Sequence, residues 1–452
     1  MIMKRINNIG YLLVGSLLVL LSVTGCSGML DDIQPKDKIP QDQLTESDLS
    51  KLLNGVYAEM EECVFKFYMD GDVKGENFKA GPGFSLNDPI LMAPSSSDVL
   101  GKWQKSFTTL KQVNFLVENF EASDNTDSQL VRQVGGTAYY FRALIYYNLA
   151  TRWGGTPILR KRTYDIVPIS PEADVWNFIL EDLEKAESLL PNFTDRFYVS
   201  LSACEALQAK VYLALKNYEK AEIYASKVLS NSNFTLSANS EDYANSFVSN
   251  TSSKEIVFAL ANKRSTSLLL FYQTVNDIDP TWDYSPSADC YENLYKDTSA
   301  KEEDIRAKAV FNDDNSRIIK FPNGSTGQFV TNEQPSQTPI VVTRIAEMYL
   351  IKAEAQGASN GLSTLKDFMS KRYAEVKLPS TLTDKEFQDQ ILDERHREFY
   401  GEGQRWYDLK RTNRLDLFQS LNGRNYLMYF PVPQSEIDLA GENNYPQNDG
   451  YN

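Results

Sequence analysis

Histidine is all but missing from this sequence: His396 is the single one among 452 residues. A multi-histidine metal centre is thereby excluded, and a Ser–His–Asp or Cys–His mechanism would have to run through that one ring. Cysteine is scarce too. The four present, Cys26, Cys63, Cys204 and Cys290, include no C-x-x-C pair, so neither a zinc ribbon nor a thioredoxin-type motif is available. Positive charge is in deficit: 46 Lys and Arg against 61 Asp and Glu leave a formal net charge of −15. Nucleic acid and anionic membrane surfaces are therefore poor partners. No phosphate-cradling glycine loop or zinc-protease motif occurs. What the chain has is rings, with 25 Tyr, 23 Phe and 5 Trp. At 42% hydrophobic residues it can bury a sizeable core. Rings serve either that core or a planar or carbohydrate-like ligand.

The amino terminus carries an address. Lys4 and Arg5 precede an apolar run, Ile9 to Val23, and then Thr24-Gly25-Cys26-Ser27. A basic start, an apolar stretch and a small-residue exit describe a secretory signal peptide over residues 1–25. The run falls short of the roughly 20 apolar residues a spanning helix needs. Val23-Thr24-Gly25-Cys26 resembles a bacterial lipobox, which makes Cys26 the expected lipidation site and a lipid anchor the only expected membrane contact. Residues 26–46 are polar and ring-poor, the composition of a solvated tether. A single folded domain is expected over 47–452.

In that domain the dominant period is helical. Ser47 is the expected cap of an early helix. Trp103 to Phe120 repeats apolar residues at helical spacing, and Ala138 to Ala150 is apolar nearly all round, which marks a buried helix. Trp153-Gly154-Gly155-Thr156-Pro157 then stops it. Glu172 to Leu190 is amphipathic, with Val175, Phe178, Ile179, Leu183 and Ala186 on the inner face. Leu201 to Leu229 reads as a helix–turn–helix in which small residues alternate with tyrosines, as in tetratricopeptide repeats. Ala346 to Ala355 echoes it. The expected fold is mainly α: tetratricopeptide-like helix pairs forming a scaffold, with a long irregular insertion over about 231–336. Within the insertion, Glu255 to Leu260 reads as a short strand and Arg317 to Val330 as hairpin material around Asn323-Gly324.

Several blocks of this chain resemble the SusD/RagB family of surface lipoproteins. They are Ala138–Pro157, Val175–Leu183, the Ala206–Ala225 helix pair, Arg344–Ala355, and Phe430-Pro-Val-Pro-Gln-Ser-Glu-Ile437. The most diagnostic is Ile391–Arg411, containing Glu-Arg-His-Arg-Glu-Phe-Tyr-Gly-Glu-Gly-Gln-Arg-Trp-Tyr-Asp-Leu-Lys-Arg. The resemblance spans nearly the whole mature chain and is weakest at about 61–102 and 231–336. It implies an outer-membrane lipoprotein facing the outside of a Gram-negative cell, without catalysis or cofactor. Such a protein captures oligosaccharides or, in the RagB branch, peptides. It delivers them to a TonB-dependent SusC-like outer-membrane transporter. A tetratricopeptide-like scaffold that holds only other proteins, and a hydrolase, are the competing readings.

Glu394, Arg395, His396, Arg397, Glu398, Glu402, Arg405, Asp408 and Arg411 have the look of a catalytic cluster. Opposite charges at i, i+3 and i+4 are better read as helix pairs continued into an ion-pair network that fixes the carboxy-terminal helices, with His396 a surface or network residue. Trp103, Trp153, Trp176 and Trp406 fall in helical or family motifs and are assigned to the core. Trp282 lies in Asp279-Pro-Thr-Trp-Asp-Tyr-Ser-Pro286, a loop with proline at both ends. There it serves either as a platform for a sugar ring or as a pin for the loop. Tyr284 and Tyr272 are its neighbouring candidates. A second candidate ligand surface runs from Asp70 to Ser97, with Asp72, Asn77 and Asn87 as possible hydrogen-bonding residues.

Overall fold

Thr45, rather than Ser47, opens the first helix. Its hydroxyl accepts from the Asp48 amide at 3.4 Å, and the Asp48 carboxylate accepts from the Thr45 amide at 3.2 Å. This reciprocal box places Ser47 inside the first turn. The computed structural model describes residues 45–82, 92–248, 252–262, 283–287, 294, 304–312, 316–321 and 338–451. The chain divides into an amino-terminal unit, 1–49, of which 45–49 are described, and a body, 50–452.

The described helices are α1 (Glu46–Tyr68), α2 (Asp70–Val73), α3 (Ser97–Glu121), α4 (Gln129–Trp153), α5 (Glu172–Leu189), α6 (Leu201–Ala214), α7 (Tyr218–Leu229) and α8 (Ser240–Asn245). After these come α9 (Ala307–Val310), α10 (Ile345–Met369), α11 (Asp384–Glu398), α12 (Arg405–Arg411) and α13 (Gln434–Ala440). The mainly helical, tetratricopeptide-like scaffold expected from the periodicity is present. Helix α4 packs against α3 and α5, and α7 against both α6 and α10. The five residues assigned to the inner face of α5 are all buried.

Small residues explain the close pairing of α6 and α7. Ala206, Ala209, Ala221 and Ala225 are fully buried where the helices meet, and Tyr212 stacks on Tyr224 with centroids 5.5 Å apart. The turn between them uses Lys216 at φ 57° and Asn217 as N-cap, its side chain accepting from the Lys220 amide. Helix α10 breaks at Gly357, whose φ of 68° is left-handed, and resumes beyond it.

Short strands join distant parts of the body. Strand β1 (Phe78–Ala80) pairs with β5 (Tyr284–Pro286), β2 (Thr156–Pro157) with β3 (Ile169–Ser170), and β4 (Ile256–Leu260) with β6 (Ile340–Arg344), all antiparallel. Strand β4 is buried on both faces, as its unbroken apolar run requires. The expected hairpin over 317–330 lies mostly outside the described residues.

The four tryptophans assigned to the core are all buried. Trp153 Nε1 donates to the Pro431 carbonyl at 2.8 Å, and Asn448 bonds both the Trp153 and Phe430 carbonyls, so the carboxy-terminal motif closes over the end of α4. Cys63 and Cys204 are free and buried, and Cys290 lies outside the described residues.

The charged cluster is not mainly a helix-surface ladder. Arg397–Glu394 and Arg411–Asp408 do sit at i,i+3, but the strongest pairs come from elements far apart in sequence. Glu398 is bound by Arg344 at 2.6 Å, Arg372 at 2.8 Å and Arg306 at 3.3 Å, all with side chains fully buried. Glu255, just ahead of β4, binds Arg344 and Arg372 from the other side. Lys320 and Arg344 both meet Glu402. The network therefore locks β4, β6, α9, α10 and α11 together inside the protein.

Candidate functional site

Asn77 is the hub from which the candidate surface is built. It follows α2 and precedes β1, with Glu76 before it at φ 62° turning the chain. Its Nδ2 donates to Asp72 Oδ1 at 2.6 Å, which leaves its Oδ1 as acceptor for His396 Nε2, also at 2.6 Å. His396 therefore carries its proton on Nε2. The Asn77 carbonyl accepts from the Tyr400 hydroxyl at 2.8 Å and from the Ser287 amide at 2.8 Å. One residue thus ties α2, β1, β5 and the Ile391–Arg411 motif into a unit.

Asp72 completes the tie. Its carboxylate accepts the Gly401 amide at 3.0 Å and the Gly403 amide at close range. Burial pushes its pKa up to about 6, against the lowering effect of Asn77 and the two glycine amides. Both Asp72 and Asn77 are buried, at 0% and 1% exposure. Their polar atoms are occupied within the fold, and neither faces outward as a ligand-surface residue must. His396 is half-buried. Its pKa lies well below the usual imidazole value because of burial, with Arg405 and Arg397 adding to the effect. A neutral ring committed to Asn77 is a structural strut.

The ribbon of β1 and β5 is mostly buried, with Lys79 exposed and Ala80 and Tyr284 half-buried. Phe78 pairs with Pro286, Lys79 with Ser285 and Ala80 with Tyr284. Phe78 is buried against Tyr400, with centroids 5.8 Å apart, and also meets the half-buried Tyr284 at 5.6 Å. Burial pushes the Tyr284 hydroxyl up to about 12, so it remains a neutral donor and acceptor. The Gly81 amide donates to the Asp283 carbonyl at 2.7 Å. The described parts 78–81 and 283–286 of the two segments singled out in the sequence are therefore brought side by side. Of the candidates, Tyr284 lies on the ribbon itself, while Trp282, Tyr272, Asn87 and Cys26 lie outside the described residues.

A second concave feature was not anticipated. It lies where the carboxy-terminal end of α4, the first turn of α5 and α12 meet, and has a volume of about 320 Å³. Glu172, Trp176, Tyr407, Lys410 and Tyr429 line it. Trp176 is buried, as its core assignment requires, and also borders this cavity; no local pattern shows that α5 and α12 converge to bring Lys410 beside it. Among the described residues no cluster of His, Cys, Asp and Glu is arranged to hold a metal ion.

Comparison with known proteins decides the family. The SusD family matches residues 271–426, and a family described as starch-binding associating with outer membrane matches residues 29–213. The chain is a SusD-like family protein. It is 25% identical to SusD-like protein P38 of Formosa agariphila, over 93% of this chain and 95% of that one. A SusD superfamily protein from Bacteroides thetaiotaomicron superposes with a TM-score of 0.75 at 22% identity, covering 90% of this SusD-like chain and 100% of the other. A laminarin-binding SusD-like protein superposes with a TM-score of 0.71 at 20% identity, covering 90% and 99%. These two likenesses establish a shared fold.

Proposed function

We propose that this SusD-like protein is a non-catalytic outer-membrane lipoprotein, anchored through Cys26 and facing outward. In this reading it binds oligosaccharides at the surface carried by the β1–β5 ribbon and hands them to a TonB-dependent SusC-like transporter. The pairing of the two sequence segments at one ribbon carries the reading. The description of one matching family as starch-binding and outer-membrane-associated supports it, as does the laminarin-binding relative of the same fold. His396 Nε2 is engaged by Asn77, and burial holds the ring's pKa well below the usual imidazole value.

The test is a glycan panel titrated against the purified, lipid-free chain, with release of reducing ends followed in parallel. Binding of at least one glycan without turnover is the expected result, and turnover would overturn the reading. Trp282→Ala should then weaken binding by about 1–3 kcal/mol, by analogy with losses on removing an aromatic stacking partner, while thermal unfolding stays unchanged. Unchanged affinity would place the site away from Trp282.

A further inference from the structure

We propose that the pocket between α4, α5 and α12 is a second sugar subsite, taking a single neutral pyranose unit; the inference rests on the glycan-binding reading above. The volume of about 320 Å³ lies at the lower end of small-molecule sites, which suits one ring better than a chain of them. Its lining has the composition that a pyranose needs: apolar ring faces together with a few fixed polar groups. Trp176, Tyr147 and Tyr429 supply the faces.

The polar groups are held in place by their own partners. The Glu172 carboxylate accepts Trp176 Nε1 at 3.0 Å through one oxygen and the Tyr429 hydroxyl at 2.9 Å through the other. Each carboxylate oxygen keeps a further lone pair for a sugar hydroxyl. Lys410 Nζ donates to the Thr151 carbonyl at 2.8 Å and sits 3.6 Å from the centre of the Tyr429 ring. Burial pushes its pKa down to about 7, with Glu172 opposing and Arg152 adding to the shift. Tyr407 also lines the pocket. Exposed Asn413 and Asn425 stand at the rim with amides able to donate and accept.

The charges select against an acidic sugar. A uronate reaching Lys410 would also meet Glu172, on a chain of net charge −15. A neutral polyol can donate to Glu172 and accept from Lys410 without that repulsion.

The experiment follows reductive methylation of Lys410 in the lipid-free full chain by peptide mass mapping. It is run with and without methyl glucoside, methyl galactoside and methyl mannoside. The expected result is that at least one glycoside slows modification of Lys410 severalfold while exposed lysines are unaffected, and that Trp282→Ala preserves the protection. Glu172→Gln, which removes a charge-assisted hydrogen bond, should weaken the protecting glycoside about tenfold. If that variant fails to fold by circular dichroism, Asn425→Ala on the rim serves instead, and its protection should also weaken. Absence of protection by every glycoside, while oligosaccharides still bind the chain, overturns the second subsite and leaves the ribbon reading standing. Absence of both kinds of binding overturns both. Protection that is lost in Trp282→Ala but kept in Glu172→Gln also overturns the proposal, since it would report on the ribbon instead.

Discussion

Glu398 shows how a charged residue in a family motif can be wholly structural. Burial alone would push its carboxyl up, but Arg372, Arg344 and Arg306 outweigh that and hold it well below the usual carboxylate range. Removing one partner from a buried pair leaves uncompensated charge, so Glu398→Ala should cost about 3–5 kcal/mol in chemical denaturation. The exposed Arg160–Glu181 pair is the control, and its loss should cost about 1 kcal/mol or less. The sequence announced an ion-pair network here but not its membership. Glu255, Arg344 and Arg372 lie outside the 391–411 motif, and only tertiary approach shows that the two arginines bridge the Glu255 and Glu398 carboxylates. Asp72 and Asn77 illustrate the opposite error. A polar, glycine-containing stretch reads as surface, yet here it is threaded beneath the 399–404 turn.

That threading is an affair of elements. Helix α2 and the turn after α11 approach so closely that a Cβ on Gly71 would lie 1.8 Å from the Gly403 carbonyl oxygen. Backbone cannot yield as a side-chain tip can. Gly71→Ala should therefore destabilise by about 1–3 kcal/mol or more through overpacking, and the Asp72 bonds to Gly401 and Gly403 should loosen with it. Gly357 tests a different mechanism. Nothing lies within 4 Å of its would-be Cβ, so Gly357→Ala is penalised only by its positive-φ, extended-ψ backbone, about 1–3 kcal/mol. Melting both variants beside the parent separates crowding from conformational strain. Helices such as α5, α6 and α7 were legible because 12 to 18 residues display their period. The β1 and β5 strands were not, because three residues cannot show alternation.

Across the whole molecule, titration acts through several groups at once. Glu402 and Asp408 join Glu398 below the usual range: burial raises each, but neighbouring cations outweigh it. Their contribution to stability is present above the unfolded carboxylate value of about 4 and is lost as pH falls through their folded values. Asp72 has the opposite sign. Pushed up to about 6, it contributes fully below the unfolded value and loses that contribution as pH rises through 6. The melting temperature should therefore fall below about pH 4 as the contributions of Glu398, Glu402 and Asp408 are lost. A melting temperature that kept rising into strong acid would contradict this network. Cell fractionation addresses the amino terminus: Cys26→Ser should release the chain from the membrane fraction, and retention would count against the lipobox.

The ribbon also sets an order of assembly. Ser287 bonds to the Glu76 carbonyl across 211 residues of sequence, and His396 reaches Asn77 across 319. Helix pairs close short loops and form early, whereas such distant closures come late. Loop-closure cost rises by only about 0.6 kcal/mol for each doubling of length, so closures this distant in sequence tolerate changes in the number of residues between them. The frame can thus stay constant while the surface it presents is rewritten.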